Sequence, residues 1–414
     1  MIAGDEFTKE RERMLIYWVW FAQLTGISAT QKRILLQHFH DPEEIYHFQG
    51  NISGATAEIM EALENKDLTE ARKILASCAQ KGIVILTLRD EAYPEKLRNT
   101  YDPPLVLYAK GVLPEWENVP VIGIVGTRKA SSYGMQIAQQ FGKQIASCGA
   151  LVVSGGATGI DAKAMEGALD AGWPVVGVLG CGVDVVYPTS NRALFDRVTK
   201  TGCLISEYPP KTQASPWHFP QRNRIISGMS DGILVVEAPV KSGALITANQ
   251  AVEQGRDVYA VPGNVDVDTC AGSNALLQDR AIAALCGWDV VKAYEALYPG
   301  KVSKNQLPPY VPSESLKVAQ EVAFLGNSQE FDETNRKKAI DNEEKSTYSV
   351  LDSKAPALSE TEQAVLALVP RQEVLVDDVI AQSDLPPGTV RSILTKLSLK
   401  RLTVNHPGGR ISRK

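Results

Sequence analysis

The sequence predicts an α/β protein, a doubly wound and mostly parallel sheet with a helical segment before it and a smaller helix-rich segment after it. Three observations carry this expectation. Short apolar runs IVILTL (83–88), LVLY (105–108), VIGIV (121–125), LVVS (151–154), VVGVL (175–179), ILVVE (233–237) and VYAV (258–261) follow one another, with amphipathic helical patterns between several of them. That alternation is what parallel strands joined by crossover helices require. Residues 11–80 carry apolar positions at helical spacing alone, broken at LTGIS and HDPEE, and read as a small helical bundle. Between 300 and 356 aromatics thin out while Lys, Glu, Asp, Asn, Ser and Pro accumulate, the composition of a flexible linker.

Taken in order, the segments divide as 1–82 (helical), 83–299 (sheet and helices), 300–356 (linker) and 357–414. A chain of 414 residues exceeds one ordinary core, so several domains are expected. Within the sheet region, Ile137, Ala138, Phe141, Ile145 and Cys148 share one helical face, opened by Ser131 or Ser132 and closed at Gly149. From Leu358 the order returns as LSETEQAVLALV, VDDVIAQ and PPGTVRSILTKLSLKRL, then the polar hairpin TVNHPGGRISRK. Three helices and a hairpin resemble a winged helix.

The bulk composition narrows the partners. Apolar residues make up 44% and charged residues 22%, with 43 Lys and Arg against 48 Asp and Glu for a net charge of −5. A general basic coat for nucleic acid is excluded, so any polyanion must meet a local patch. The apolar runs are too short to span a bilayer, and the start MIAGDEFTKERER places acids where a secretion signal is basic. No membrane association and a cytoplasmic address are expected. Cys78, Cys148, Cys181, Cys203, Cys270 and Cys286 show no CxxC spacing and no pairing with the five histidines, which reads as reduced thiols without a metal or other cofactor.

The chemistry sits in glycine-bearing turns at strand ends, where open α/β sheets bind ligands. The turn VIGIVGTRKASSYG supplies Gly126, Thr127, Arg128 and Lys129, and LVVSGGATGIDAKAMEGAL supplies Ser154, Gly155, Gly156, Thr158, Gly159 and Asp161. Ser154 and Thr158 offer hydroxyls; Asp161 is either a helix cap or a functional carboxylate. GCGVDVVYPTSNRALF adds Asp184, Tyr187, Pro188 and Asn191; EAPVKSGALITANQA adds Lys241, Ser242 and Gly243; VPGNVDVDTCAGSNALL adds Gly263, Gly272, Ser273 and Asn274. In FPQRNRIISGMSDGILVVE, Arg222 and Arg224 flank Asn223 after Pro220 and read as residues of a helix's first turn, where cations work against the dipole unless an anion lies between them. Five such turns on one edge of the sheet form one basic, amide-lined pocket, with Arg222 and Arg224 facing Arg128 and Lys241 across a phosphate site. None of the turns is GxGxxG, a Walker loop or a GxSxG elbow. Phe219 and Tyr133 are either base-stacking rings or core residues.

The ordered motifs GTRxxSxYG, SGxAxGID, GxGxDxxYPxxN, FPxRNRIISG, VVEA, KSGALITA, QGRDVYAVPG and AGSN, with DEAYPEKL and DPPLVLYAKG upstream, resemble the DNA processing protein A family (DprA, also called Smf) over roughly residues 83–288. The resemblance implies a Rossmann-like central domain, an N-terminal helical domain of the SAM or helix-hairpin-helix kind, and a carboxyl-terminal winged helix. It implies single-stranded DNA binding without sequence preference, protection of the strand, loading of RecA in natural transformation and recombination, homodimerisation through the Rossmann-like domain, and no enzymatic reaction. It carries binding roles onto Arg128, Arg222, Arg224 and Lys241. This chain departs from the family at Gly156, Thr158 and Met165, where leucine, arginine and histidine are usual, and at Lys241, where arginine is usual; lysine keeps the charge and loses the two-pronged guanidinium.

The sequence also admits two readings from other classes. One is a nucleotide-processing enzyme of the lysine-decarboxylase-like group, whose PGGxGTxxE motif has no counterpart at VPGNVDVD. The other is a transcription regulator acting through Arg391, Lys396, Lys400, Arg401, Arg410, Arg413 and Lys414 of the winged helix.

Overall fold

The computed structural model describes residues 2–305 apart from 51, 53, 54 and 280. It also describes 360–413 apart from 373, 384, 386–388, 391, 392, 395, 396, 398–401 and 407–409. The expected linker falls almost wholly outside these residues. The chain divides into two compact units, Met1–Phe331 and Asp332–Lys414.

The first unit opens with α1 (Ile2–Gln23), α2 (Ala29–His38), α3 (Pro42–His47), α4 (Ala57–Glu64) and α5 (Thr69–Lys81). Their starts are written locally. Ser28, Asp41 and Thr56 cap α2, α3 and α4 through their side-chain oxygens, which satisfies otherwise orphaned N–H groups. The helices then bury Trp18, Phe21, Leu35, Ile45 and Ile74 in the same apolar cluster as Ile85, Tyr108 and Ile122 of the sheet. A boundary at residue 82 therefore divides the chain without dividing the core.

The sheet has nine strands: β1 (Val84–Thr87), β2 (Val106–Gly111), β3 (Val121–Val125), β4 (Leu151–Ser154), β5 (Val175–Val178), β6 (Cys203–Ser206), β7 (Gly232–Val235), β8 (Asp257–Ala260) and β9 (Ile282–Ala283). Their spatial order is β1-β2-β6-β5-β4-β3-β7-β8-β9. Pairing is parallel from β6 through β9, and antiparallel for β1 with β2 and β2 with β6. All seven predicted runs are strands; β6 and β9 were not among them. The central strands are buried from end to end, as strands covered on both faces must be.

The short α6 (Glu95–Arg98) lies between β1 and β2 in the chain, and longer helices complete the two layers. On one face lie α7 (Ser132–Ser147), α8 (Ile160–Asp170) and α9 (Arg192–Thr201), through Phe141, Ile160 and Phe195; on the other lie α10 (His218–Met229) and α11 (Gly243–Glu253), through Ile225, Ile226, Ala244 and Ala248. The period-two alternation of β3 sorts its side chains accordingly, with Ile122 and Ile124 toward the first layer and Val121 and Val125 toward the second. Strands β4, β5 and β6 run out from β3 on one side and β7, β8 and β9 on the other. The topology therefore switches between β3 and β7, and a crevice opens there at the strands' carboxyl ends.

The second unit shows helices Glu360–Leu368 and Val376–Ala381 and a three-stranded antiparallel sheet of β10 (Val374–Leu375), β11 (Thr403–His406) and β12 (Arg410–Arg413), in the order β10-β12-β11. Val365, Val369, Val379, Ile393, Leu397 and Ile411 form its core. The expected duplex-facing residues Arg391, Lys396, Lys400, Arg401 and Lys414 lie outside the described residues.

Candidate nucleic-acid interface

At the switch point a groove of about 510 Å³ opens. The loop after β3 contributes Gly126, Thr127, Arg128 and Lys129, and the loop after β7 contributes Pro239, Lys241, Ser242 and Gly243. Ala157 comes from the loop after β4, Asp161 from the first turn of α8, and Phe219, Pro220, Arg222 and Asn223 from α10. A smaller cleft beside it is lined by Gly155, Gly156, Thr158, Tyr187, Arg128 and Phe219. Parallel strands put all these loops on one edge, because each strand ends in the same direction.

Local chemistry builds the walls. Ser131 caps α7 by accepting from the N–H of Gly134 at 2.9 Å, and the buried Glu237 carboxylate accepts from the Ser131 hydroxyl at 2.9 Å. A Cβ at Gly126 would sit 2.5 Å from Ile160, so glycine is needed where that turn passes over α8. Gly156 and Gly159 have φ of 62° and 80°, a region that favours glycine. Asn191 clamps the second loop by donating to the carbonyls of Gly156 and Ala157 at 3.0 and 3.3 Å. Ser242 caps α11 by accepting from the N–H of Ala244 at 3.2 Å, and Asn223 donates to the Gly243 carbonyl at 3.3 Å.

The cations divide into two kinds. Arg128, Lys129 and Lys241 are exposed on the rim, and the Arg128 guanidinium lies 4.9 Å from the centre of the Phe219 ring, a cation–π contact that holds it over the groove. Arg222 is 4% exposed. Its guanidinium donates to the carbonyls of Gly155, at 2.5 Å, and Val178, tying the ends of β4 and β5 to α10. Burial lowers its pKa to about 10. The same burial raises the Asp161 carboxyl, against the pull of Arg222 and the amides of Ala157 and Gly126. Asp161 thus sits in the groove floor as a partner of the loop backbone.

Three expectations need correction. Helix α10 begins at His218, so Arg222 and Arg224 stand in its second turn and not its first. Residues two apart on a helix point about 200° apart, and Arg224 accordingly faces away from the groove. Its guanidinium pairs with Glu207 at 2.5 Å and Asp102 at 3.2 Å. They line a separate cavity of about 380 Å³ with Lys32, Gln23 and Gln221, where α1 and α2 meet the loop before β2. Burial there raises the Glu207 carboxyl, with Arg224 opposing, and lowers Lys32 to about 8. Ser154 is the third case: it is fully buried and its hydroxyl donates to the Ile124 carbonyl at 2.6 Å, so it fastens β4 to β3 instead of reaching a ligand.

The structure thus brings together Gly126, Arg128, Lys129, Arg222, Asn223, Lys241, Ser242 and Gly243, sets Gly155 behind Arg222, and separates Arg224 and Ser154 from them. Sequence reading missed Glu237 as the residue that pins the start of α7, although the VVEA motif displayed it. Asn223, expected as a binding residue, also braces α10 against α11. Phe219 is half-buried, with Tyr187 5.6 Å away on a tilted ring, and Tyr133 is exposed on α7.

Comparison with known proteins identifies the family of the chain. Residues 84–295 match the family model described as DNA recombination-mediator protein A, and residues 351–409 match a DprA winged helix domain. The chain is 41% identical over 225 residues to the DNA processing protein DprA of Bacillus subtilis (strain 168), covering 54% of this chain and 75% of that one. It is 30% identical to Protein Smf of a Synechocystis strain over 96% of this chain and 98% of that one. The X-ray structure of DprA from Streptococcus pneumoniae superposes with a TM-score of 0.59 at 32% identity, covering 67% of this chain and 97% of that one. With the family model matched over residues 84–295, 30% identity to one relative over nearly its full length and a matching winged helix, this chain belongs to the DNA recombination-mediator protein A family, DprA or Smf.

Proposed function

We propose that the groove binds single-stranded DNA without sequence preference, protecting the strand and delivering it to the RecA recombinase in natural transformation and recombination. The observation that carries this reading is the set of exposed cations, Arg128, Lys129 and Lys241, around the groove in a chain of net charge −5. A backbone-tracking site needs local positive charge, whereas base-edge readout needs side chains spaced for a duplex groove. The inward polar groups are engaged with the fold: Asp161, Asn191, Asn223 and Glu237 all hold backbone groups. The groove is therefore read as a binding surface without a reaction of its own.

The chain acts in this reading as a homodimer through the Rossmann-like domain, in the cytoplasm where the strand and recombinase meet. The dimer is supported by the exposed edge strand β9 with Ile282 and the neighbouring Leu285 uncovered, since such an edge invites pairing. No helix among the described residues is long and apolar enough to cross a membrane.

Titration of labelled oligo-dT, a mixed-sequence single strand and a duplex at several salt concentrations tests the reading. Similar affinities for both single strands, weaker duplex binding, and affinity that falls with salt are expected. Salt-independent binding or a clear duplex preference contradicts it.

A further inference from the structure

Trp217 is 81% exposed, the most exposed aromatic ring among the described residues. It occupies the N-cap of α10 without making a capping bond, and no hydrogen bond or ring contact engages its indole among the described residues. An uncovered indole leaves a large apolar surface in water, and nothing in the fold uses it.

Its neighbours show why it points outward. His218 stacks on Tyr208 with ring centres 4.0 Å apart and bonds the Gly180 carbonyl at 3.1 Å. Phe219 turns toward Arg128 and Tyr187. Two consecutive anchored rings fix the start of the helix next to the exposed Trp217. Pro216, Phe219 and Pro220 line the groove on either side of it in sequence, so the exposed Trp217 directly follows a groove-lining residue in the chain. Phe219 already packs with an arginine and a tyrosine and is half-buried.

We propose that Trp217 is a nucleobase-stacking platform that extends the single-strand site past the cationic rim. This rests on the single-strand reading above and adds a contact that is made to bases and not to phosphates. Base stacking on an aromatic tolerates any base, which suits a site without sequence preference. It also differs from a phosphate contact in carrying no salt dependence of its own.

The test uses the full chain, Trp217→Ala and Trp217→Phe, with labelled oligo-dT and a strand of equal length made of abasic residues. The alanine variant should weaken oligo-dT binding by about fivefold to 150-fold while its salt slope stays that of the original chain. The phenylalanine variant should recover most of the loss, and abasic-strand affinity should be the same for all three proteins. Because the side chain is exposed and caps nothing, folding is not at stake. Unchanged oligo-dT affinity in Trp217→Ala overturns the proposal, as does equal weakening toward abasic and base-bearing strands. A shift in oligomeric state by sedimentation, with DNA affinity intact, makes Trp217 a subunit contact and also overturns it. If the original chain binds oligo-dT normally in these cases, the parent reading stands; if it binds none at any salt, both fall.

Discussion

The two faces of α10 hold arginines of opposite use. On the groove side Arg222 spends its guanidinium on the carbonyls of Gly155 and Val178, and the free charge is supplied by Arg128, Lys129 and Lys241 on neighbouring loops. On the far side Arg224 is held between Glu207 and Asp102 in a second cavity beneath the N-terminal helices. The contrast teaches that guanidinium count and local sequence do not identify a ligand site. What matters is whether a cation retains unsatisfied donors toward solvent once the fold has taken its share, and here the buried arginine builds the groove while exposed ones remain to meet an anion.

Substitutions can break this contrast, beginning with the largest expected effect. Arg222→Ala removes a buried charge that joins two strand ends and faces Asp161, so a loss of about 3–5 kcal/mol in stability is expected from denaturant unfolding, with oligonucleotide binding lost as the loops reposition. A variant as stable as the original refutes the anchoring role. Arg224→Ala strands two carboxylates in a partly buried cavity and should cost about 1–3 kcal/mol with the DNA salt slope unchanged; a reduced slope would return Arg224 to the site. Ser154→Ala should cost about 1 kcal/mol through the lost bond to Ile124 and leave DNA affinity alone.

The smallest effect is one of pH. Burial raises the Glu207 carboxyl, so the folded state prefers its protonated form, and stability is lost as pH rises from the ordinary glutamate range through the raised folded value. Glu207→Gln lacks this titration. Its stability relative to the original chain should therefore climb as pH rises above about 4.5 and then level off, as measured by unfolding across that range. A flat difference would mean that Arg224 offsets the burial completely.

Much of this was legible in residue order, and the exceptions have physical causes. The strand ends and their glycine turns were readable because parallel strands write continuous apolar runs, and the shared edge follows from parallelism alone. Strand β6, CLIS at 203–206, was obscured because it directly follows the α9 helix with only Gly202 between. Strand β9 has two residues, too few for any period to show. Arg224 was misplaced because Pro220 suggested a helix start, while the helix begins two residues earlier and its periodicity turns Arg224 outward from the groove. The rule that would have separated the two arginines, opposite faces for residues two apart, was available in the sequence. Their buried partners were not, since Gly155, Val178, Glu207 and Asp102 are joined to α10 only by the tertiary fold. The same holds for Ser154, whose hydroxyl is claimed by a neighbouring strand.

The central claim is that the exposed rim cations, and not the α10 arginines, hold the sugar-phosphate chain. It is tested most directly by measuring the salt dependence of oligo-dT affinity for the original chain, Arg128→Ala, Lys241→Ala and Arg224→Ala in parallel. The account predicts slopes lowered by about 0.7 in each of the first two variants and an unaltered slope in the third. Unaltered slopes in Arg128→Ala and Lys241→Ala, with a lowered one in Arg224→Ala, would contradict it.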